Sequence, residues 1–233
     1  MPRLLLFDVD NTLLWSGGAG ARAMGLAFRD LFGIEDGFKG VEFSGRTDRY
    51  ILAEALRQHG VGGDYAQHEA AFRERYYAYL PQALREGQGK LMPGFPMLLE
   101  DLSRRPGVRL GLATGNFSRG AQLKLARYGI DGYFSDGAFG EESEDRSVVV
   151  RRALERLGEG LSPAEVMVIG DTPHDVSSAR ACGTVAVGVA TGRNTVDDLR
   201  RCGADLVFED FSDWRRAAAT LTGAQTGTRP GEA

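Results

Sequence analysis

Two aspartates, Asp8 and Asp10, stand two residues apart directly after a short apolar run over residues 4–7. Such a run, bounded by polar residues, is typical of a buried parallel strand, and open parallel sheets place their working residues just beyond the carboxyl ends of the strands. Two carboxylates there need a cation, because unpaired charge is costly to bury. The spacing suits Asp8 as a nucleophile and metal ligand, with Asp10 positioned for proton transfer. The alternative is a strand that runs into a solvated Asp/Asn turn.

Two further apolar runs end in polar residues of the same kind. Residues 108–113 lead to Thr114, and residues 166–170 lead to Asp171. The carboxyl ends of parallel strands lie along one edge of a sheet, so these side chains would meet Asp8 although they are remote in sequence. Packing requirements alone do not explain this convergence.

The elements that must position these residues fall into two groups. From residue 93 onward helices and strands alternate, which predicts an α/β fold with a Rossmann-like parallel sheet and helices on both faces. Before that, apolar residues recur at helical spacing without a strong strand signal, so we expect a helical insertion after the first strand. Pro81 is expected to break or kink its third helix. The predicted units are a core over residues 1–14 and 91–222, an insertion over residues 15–90 and a disordered tail over residues 223–233.

The composition excludes several classes of function. The chain of 233 residues is 42% hydrophobic and 26% charged, which is ordinary for a globular protein, and its net charge of −4 argues against a nucleic-acid surface. No apolar segment approaches the length of a membrane span, and the sequence has no signal-peptide pattern. Cys182 and Cys202 form no metal or redox spacing, which fits a reducing cytoplasm.

Residues 8–12, the strand-terminal Thr114 and residues 170–175 together resemble the signature motifs of the haloacid dehalogenase-like hydrolases. Each motif is short, but their order and spacing make the resemblance specific. It covers nearly the whole chain apart from the tail. Residues 181–204 are similar to the phosphoglycolate phosphatase branch, and the helical insertion matches the cap domain of that branch.

The resemblance implies Mg²⁺-dependent hydrolysis of a phosphate ester through an aspartyl-phosphate intermediate. Asp8 would attack phosphorus, and Asp10 would protonate the leaving alkoxide and then deprotonate the attacking water. Mg²⁺ would be held by Asp8, the backbone carbonyl of Asp10 and Asp171, with Asp175 on a metal-bound water. Asp175 also fits a capping box with Thr172 at the start of a helix, so a structural role stays open for it.

The same resemblance assigns residues to the transferring phosphoryl group and to the substrate. Thr114, with the amides of Gly115 and Asn116, would donate hydrogen bonds to phosphoryl oxygens, and Thr12 belongs to the substrate-binding set. As an alternative, Thr114 is an ordinary helix N-cap. Arg46 would bind a carboxylate or second phosphate of the substrate. As an alternative, Thr47 or Asp48 caps the next helix and Arg46 is solvated.

One position departs from the family pattern. The family has a lysine in its third motif, but this chain has no lysine after Lys124, and the best-aligned residue is Arg146. An arginine in the first turn of a helix opposes the macrodipole at a cost of about 0.3–1 kcal/mol, so helix formation does not explain it. Pairing with Asp8 and phosphate does, although arginine is planar and bulkier than lysine. The alternative is a surface arginine solvated among acidic neighbours.

These observations predict a cytoplasmic phosphatase that acts on a small phosphorylated metabolite, with phosphoglycolate as the first substrate to try and the insertion closing over it. The expected cofactor is Mg²⁺. We expect neither nucleic acid nor a membrane as a partner, and a monomer or homodimer. A phosphomutase of the same fold and a non-catalytic phosphoryl-ligand-binding or regulatory homologue are the alternatives. A dehalogenase is less favoured, because it needs neither Mg²⁺ nor an acid/base at Asp10.

Overall fold

The structure is a computed structural model that describes residues 3–223; residues 1–2 and 224–233, including most of the predicted tail, lie outside the described residues. Six parallel strands form one sheet with helices on both faces, which confirms the predicted α/β fold. The strands are β1 (Arg3–Phe7), β2 (Leu14–Trp15), β3 (Lys90–Leu91), β4 (Val108–Ala113), β5 (Gly137–Ala138), β6 (Val166–Gly170), β7 (Val185–Val189) and β8 (Leu206–Phe208). The helices are α1 (Ala19–Phe32), α2 (Asp48–Gln58), α3 (Tyr65–Glu86), α4 (Met97–Ser103), α5 (Ser118–Arg127), α6 (Arg146–Leu157), α7 (Pro173–Ala181), α8 (Val196–Arg201) and α9 (Trp214–Thr222).

The strand order β5-β4-β1-β6-β7-β8 places β1 between β4 and β6. All five pairings in this sheet are parallel, so the carboxyl ends of the strands lie at one edge. The residues that follow β4, β1 and β6 are Thr114, Asp8 and Asp171. Three neighbouring strands therefore deliver the three polar groups that the sequence placed at strand ends.

Strand β1 is held from both sides, because each face of the sheet has its own hydrophobic core. Leu5 and Phe7 pack into the core that contains α4, α5 and α9, whereas Leu4 and Leu6 pack into the core that contains α6, α7 and α8. This alternation is the ordinary geometry of a strand covered on both faces. It fixes where the chain leaves the sheet and hence where Asp8 lies.

The helices of the insertion, residues 15–90, share a hydrophobic cluster that also includes Phe117 next to α5. Phe28, Leu52 and Phe72 are fully buried within it, and α1 packs along α3. Its two ends pair as the antiparallel strands β2 and β3. The two connections between the insertion and the sheet therefore run side by side.

Of the break or kink predicted at Pro81, the break is wrong, because α3 continues past it to Glu86, and the kink stays a prediction. Proline inside a helix costs about 3 kcal/mol through a lost hydrogen bond and a steric clash. Leu80 and Leu84 are buried on either side of it, and their packing offsets that cost. Within residues 3–223, no helix combines the length and the apolar character that a membrane crossing requires.

Candidate active site

Three carboxylates converge at the carboxyl edge of the sheet. Oxygen atoms of Asp8, Asp171 and Asp175 lie within 4.8 Å of one another. The three residues are only 6%, 2% and 1% exposed. Asp8 and Asp171 reach this point as the residues that follow β1 and β6, and Asp175 reaches it from the first turn of α7.

Asp175 has the helix-capping role that the sequence left open, and its contact with a metal-bound water stays a prediction. Its Oδ2 accepts hydrogen bonds from the backbone N–H and the hydroxyl of Thr172, at 3.0 and 2.7 Å, and its own N–H donates to Thr172 Oγ1 at 3.3 Å. This is the predicted capping box. The cap occupies Oδ2 and leaves Oδ1 facing the other carboxylates.

Arg146 lies against this cluster and is only 7% exposed. Its Nη2 is 2.8 Å from Asp8 Oδ1 and 2.6 Å from Asp175 Oδ1. Its Nη1 donates to the carbonyl of Gly45 in the helical insertion at 3.3 Å. The alternative of a solvated surface arginine does not fit this burial. Asp145 caps the helix by accepting the N–H of Ser147, so Arg146 enters the site as the first residue of α6.

The cluster carries more negative charge than one guanidinium can balance. Burial raises the pKa of Asp8, with Arg146 opposing this effect and Asp175 adding to it. The pKa of Asp171 is raised to about 8 by burial and then by the charges of Asp175 and Asp8. Burial lowers the pKa of Arg146, but Asp175 and Asp8 outweigh it, so that this pKa is raised overall.

The residues present fit a hard divalent cation. Carboxylate oxygens are the ligands that Mg²⁺ prefers. Within residues 3–223, the buried Oδ1 of Asp175 has no hydrogen-bond partner, although Arg146 Nη2 lies close to it at an unsuitable angle. Gly192 also leaves room beside the cluster, because a Cβ there would lie 1.9 Å from Asp171 Oδ2. The carboxylate of Asp10 is not in this group; a metal contact through its backbone carbonyl stays a prediction.

Thr114, Gly115 and Asn116 form the turn between β4 and α5. Thr114 is fully buried, and its Oγ1 accepts from the backbone N–H and the side-chain amide of Asn116, at 3.3 and 2.9 Å. Helix α5 begins at Ser118 with Phe117 as its N-cap residue, so the N-cap alternative for Thr114 is wrong. A Cβ at Gly115 would lie 2.3 Å from the carbonyl oxygen of Arg46, so only glycine fits beneath the insertion there.

Thr12 contacts the carboxylate cluster, whereas Arg46 lies in the helical insertion. Thr12 is fully buried and its hydroxyl donates to Asp171 Oδ1 at 3.5 Å. The guanidinium of Arg46 donates to Glu42 Oε2 from Nε at 2.8 Å and lies over the ring of Tyr50, 4.5 Å from its centroid. The helix-cap alternative is right for Thr47, whose side chain accepts the N–H of Tyr50. Arg46 pairs with Glu42 at a partly exposed position, with 31% of its side chain exposed.

Lys124 was missed by the sequence analysis. It lies on α5, and its Nζ is 2.5 Å from Asp10 Oδ2 and 2.5 Å from Asn116 Oδ1. It is 4% exposed. One signal could have found it, because Lys124 shares the buried face of α5 with Gly120, Ala121 and Leu125. A lysine in a stripe of small and apolar residues requires a buried partner.

A cavity of about 580 Å³ separates the sheet edge from the helical insertion. Its acidic lining residues are Asp8, Asp10, Glu42, Asp48 and Asp171. Its basic lining residues are Arg46, Lys124, Arg146 and Arg193. The acids outnumber the bases, so an anionic ligand there needs a further positive charge beside the carboxylates.

Residues 2–183 match the family model for haloacid dehalogenase-like hydrolases. The chain belongs to this family. The match covers most of the chain, including the segments that carry Asp8, Thr114, Arg146 and Asp171. The predicted resemblance is thus confirmed, and the prediction of a hydrolytic enzyme with it.

Curated relatives of this haloacid dehalogenase-like hydrolase include proteins named as phosphatases. The probable phosphatase IndB of Dickeya dadantii is 28% identical over 95% of each chain. The phosphoglycolate phosphatase of Rhodospirillum rubrum is 30% identical over 92% of this chain and 91% of its own. The second of these relatives, with the family match, confirms the phosphoglycolate phosphatase-like branch. The tyrosine-protein kinase PtkA of Mycobacterium tuberculosis is 31% identical over 82% of this chain and 64% of its own.

Solved structures of the family have the same fold. A hydrolase from Pseudomonas syringae aligns with a TM-score of 0.70 at 23% identity, over 95% of this chain and 99% of that one. CbbY from Rhodobacter sphaeroides, in complex with phosphate, aligns with a TM-score of 0.68 at 22% identity, over 91% of this chain and 96% of that one. At these identities the likeness concerns the fold alone.

Proposed function

We propose that this haloacid dehalogenase-like hydrolase is an Mg²⁺-dependent phosphatase that hydrolyses a small phosphorylated metabolite through an aspartyl phosphate on Asp8. One observation carries the proposal. The carboxylate of Asp8 lies at the end of the central strand, at the edge of a cavity, with a guanidinium and two further buried carboxylates beside it. A nucleophile for an anionic phosphate needs this balance of charge.

The side chains at the sheet edge would prepare the first step. Asp8, Asp171 and Asp175 would hold Mg²⁺ with the backbone carbonyl of Asp10, and the ion would offset the negative charge of phosphate beside these carboxylates. Arg146 fixes the Asp8 carboxylate and places positive charge next to the position of the phosphoryl group. An oxygen of Asp8 would then attack phosphorus in line with the departing ester oxygen.

Asp10 is the proposed proton donor and acceptor. Its side chain is 35% exposed and lies at the edge of the cavity. When the bond between phosphorus and the ester oxygen breaks, Asp10 would give its proton to that oxygen. It would then take a proton from the water that attacks the aspartyl phosphate, which releases inorganic phosphate and restores Asp8. Thr114 and the amides of Gly115 and Asn116 would donate hydrogen bonds to the phosphoryl oxygens.

The helical insertion, residues 15–90, is proposed to act as a cap that excludes water and contributes to specificity. Arg46 supports this role, because it lies on the insertion and lines the same cavity as Asp8. Its pairing with Glu42 and stacking on Tyr50 hold the guanidinium at that site. A substrate with a second anionic group would fit, and phosphoglycolate is the first to test because relatives are named for it.

The test is turnover of p-nitrophenyl phosphate and of phosphoglycolate, with and without Mg²⁺, followed by release of inorganic phosphate. We expect turnover that depends on Mg²⁺ and is lost in Asp8→Asn, because an amide is a poor nucleophile. Asp131→Asn, the same change at an exposed position, is the matched control and should behave as the wild type. Wild-type turnover by Asp8→Asn would contradict the mechanism. A phosphomutase would instead return the phosphoryl group to an organic acceptor.

A further inference from the structure

Asp10 is held by one of its two oxygens. Lys124 Nζ and the side-chain amide of Asn116 both donate to Asp10 Oδ2, at 2.5 and 2.9 Å, and Lys124 also donates to Asn116 Oδ1. The three side chains thus form a closed triangle of hydrogen bonds. Within residues 3–223, Asp10 Oδ1 accepts no hydrogen bond in this structure. The carboxylate cannot rotate without breaking both contacts to Oδ2.

Lys124 is buried, and a glycine of α1 leaves space for its ammonium group. The side chain is buried on the face of α5 that otherwise consists of small and apolar residues. A leucine or methionine at this position would pack there without burying a charge. Within the described part of the chain, Asp10 is its one ion-pair partner. Helix α1 places Gly20 over the ammonium group, and a Cβ there would lie 3.2 Å from Nζ. The glycine leaves the room that the lysine needs.

We propose that Lys124 is a positioning residue for Asp10, which it holds by Oδ2 so that Oδ1 faces the leaving-group oxygen of the substrate. The proposal rests on the proposed function, in which Asp10 is the proton donor. The proposed nucleophile and the proposed proton donor then each have a basic side chain beside them. Arg146 contacts Asp8, and Lys124 contacts Asp10.

The proposed role affects only reactions that need the proton. When the bond from phosphorus to an alkyl oxygen breaks, the alkoxide is too basic to leave alone and takes the proton from Asp10 Oδ1. Lys124 keeps its protons throughout. p-Nitrophenolate is a much weaker base and leaves without protonation. Misplacing Asp10 should therefore slow alkyl phosphates and spare p-nitrophenyl phosphate.

The experiment compares kcat/KM for a series of alkyl phosphates and for p-nitrophenyl phosphate in the presence of Mg²⁺. This ratio covers only the steps up to phosphoryl transfer to Asp8, so hydrolysis of the intermediate does not enter it. Lys124→Met removes the charge while keeping an unbranched side chain. Lys124→Gln, which keeps an uncharged amide donor, carries the comparison if the methionine variant does not fold. Lys39→Met, at an exposed lysine, is the matched control.

For Lys124→Met we expect a loss of roughly 10²-fold on alkyl phosphates, the usual size of a general-acid contribution, and little change on p-nitrophenyl phosphate. Lys124→Gln should lose less on the alkyl series, and the control should match the wild type on both. Equal losses on both kinds of substrate, or no loss on either, would overturn the role of Lys124 while leaving the phosphatase proposal intact. If the wild type hydrolyses no phosphate ester at all, both proposals fail.

Discussion

At the scale of single residues, Arg146 is the position where this chain's chemistry departs from its family pattern. One nitrogen of its guanidinium lies near both Asp8 and Asp175, and another donates to the backbone of the insertion. A planar group with several donors can face three partners in different directions, which a lysine ammonium on a flexible stem does less rigidly. The arginine thus contacts the proposed nucleophile Asp8, its acidic neighbour Asp175 and the insertion at once.

We expect Arg146→Ala to lower turnover by roughly 10²-fold, the usual effect of losing one donor to the transition state. The measurement is kcat for p-nitrophenyl phosphate at saturating Mg²⁺. Arg152→Ala is the matched control, because Arg152 lies on the same helix but is exposed and pairs with Glu155 at the surface. An Arg146→Ala variant as active as this control would show that Arg146 takes no part in catalysis.

The sequence predicted Arg146 but not Lys124, and the reason is physical. An arginine in the first turn of a helix is locally unfavourable, so its own segment shows that something else requires it. A lysine inside α5 is locally ordinary. Its partner Asp10 lies 114 residues away in the sequence. The contact exists only because α5 packs on the face of the sheet that carries Leu5 and Phe7 of β1.

At the scale of elements, the insertion meets the sheet edge through glycines. Gly45 has a φ of +71°, and a Cβ there would lie 2.6 Å from the ring of His174 and 2.7 Å from Thr172 Oγ1. Its carbonyl accepts the hydrogen bond from Arg146. Side chains at this point would hold the insertion away from the start of α7 and open the cavity to water.

We expect Gly45→Ala to reduce kcat/KM well below that of Gly40→Ala. Both glycines have a positive φ, so an alanine introduces similar backbone strain at either position. Only at Gly45 does the added Cβ also meet other atoms, because nothing lies within 4 Å of a Cβ at Gly40. The comparison therefore separates the contact from the strain. Steady-state kinetics on both variants, with thermal unfolding to confirm that each is folded, is the measurement. Equal activity of the two would mean that close approach of this loop is not needed.

Strands could be predicted from the sequence where both of their faces are buried, because the whole segment is then apolar. The runs of β1, β4 and β6 stood out because each strand is covered on both sides, and a parallel sheet then fixes which residues follow at its edge. Strand β5, at the end of the sheet, consists only of Gly137–Ala138, which is too short to give an apolar pattern of its own. The continuation of α3 through Pro81 depends on tertiary packing, which local propensity does not contain.

At the scale of the whole molecule, Asp48 links the stability of the fold to pH. It lies at the start of α2 in the insertion, and its Oδ2 accepts the backbone N–H of Phe117 at 2.8 Å. Burial raises its pKa to about 7 from an ordinary value of 3.8, with Lys124 opposing the shift. The folded chain therefore binds this proton more tightly than the unfolded chain does. The resulting stabilisation is complete below the unfolded pKa and is lost as the pH rises through the folded one.

We expect the wild type to lose stability relative to Asp48→Asn as the pH rises from about 4 to about 7. Asparagine keeps an acceptor for the N–H of Phe117 and cannot ionise. The difference in unfolding free energy between the two proteins therefore reports the protonation of Asp48. The measurement is denaturant unfolding of both proteins at a series of pH values without Mg²⁺. Asp131→Asn, at an exposed site, should follow the wild type. A difference between wild type and Asp48→Asn that does not change with pH would contradict the linkage.

The short ribbon formed by β2 and β3 has a mechanical consequence. Because both crossings of the chain run through it side by side, a swing of the insertion about this ribbon would carry Gly45 away from Arg146. The guanidinium would lose one partner at the moment the cavity admits its ligand. Arg146 would regain the carbonyl of Gly45 only when the insertion closes again. One movement would therefore first admit the phosphate ester and then complete the contacts of Arg146 beside Asp8.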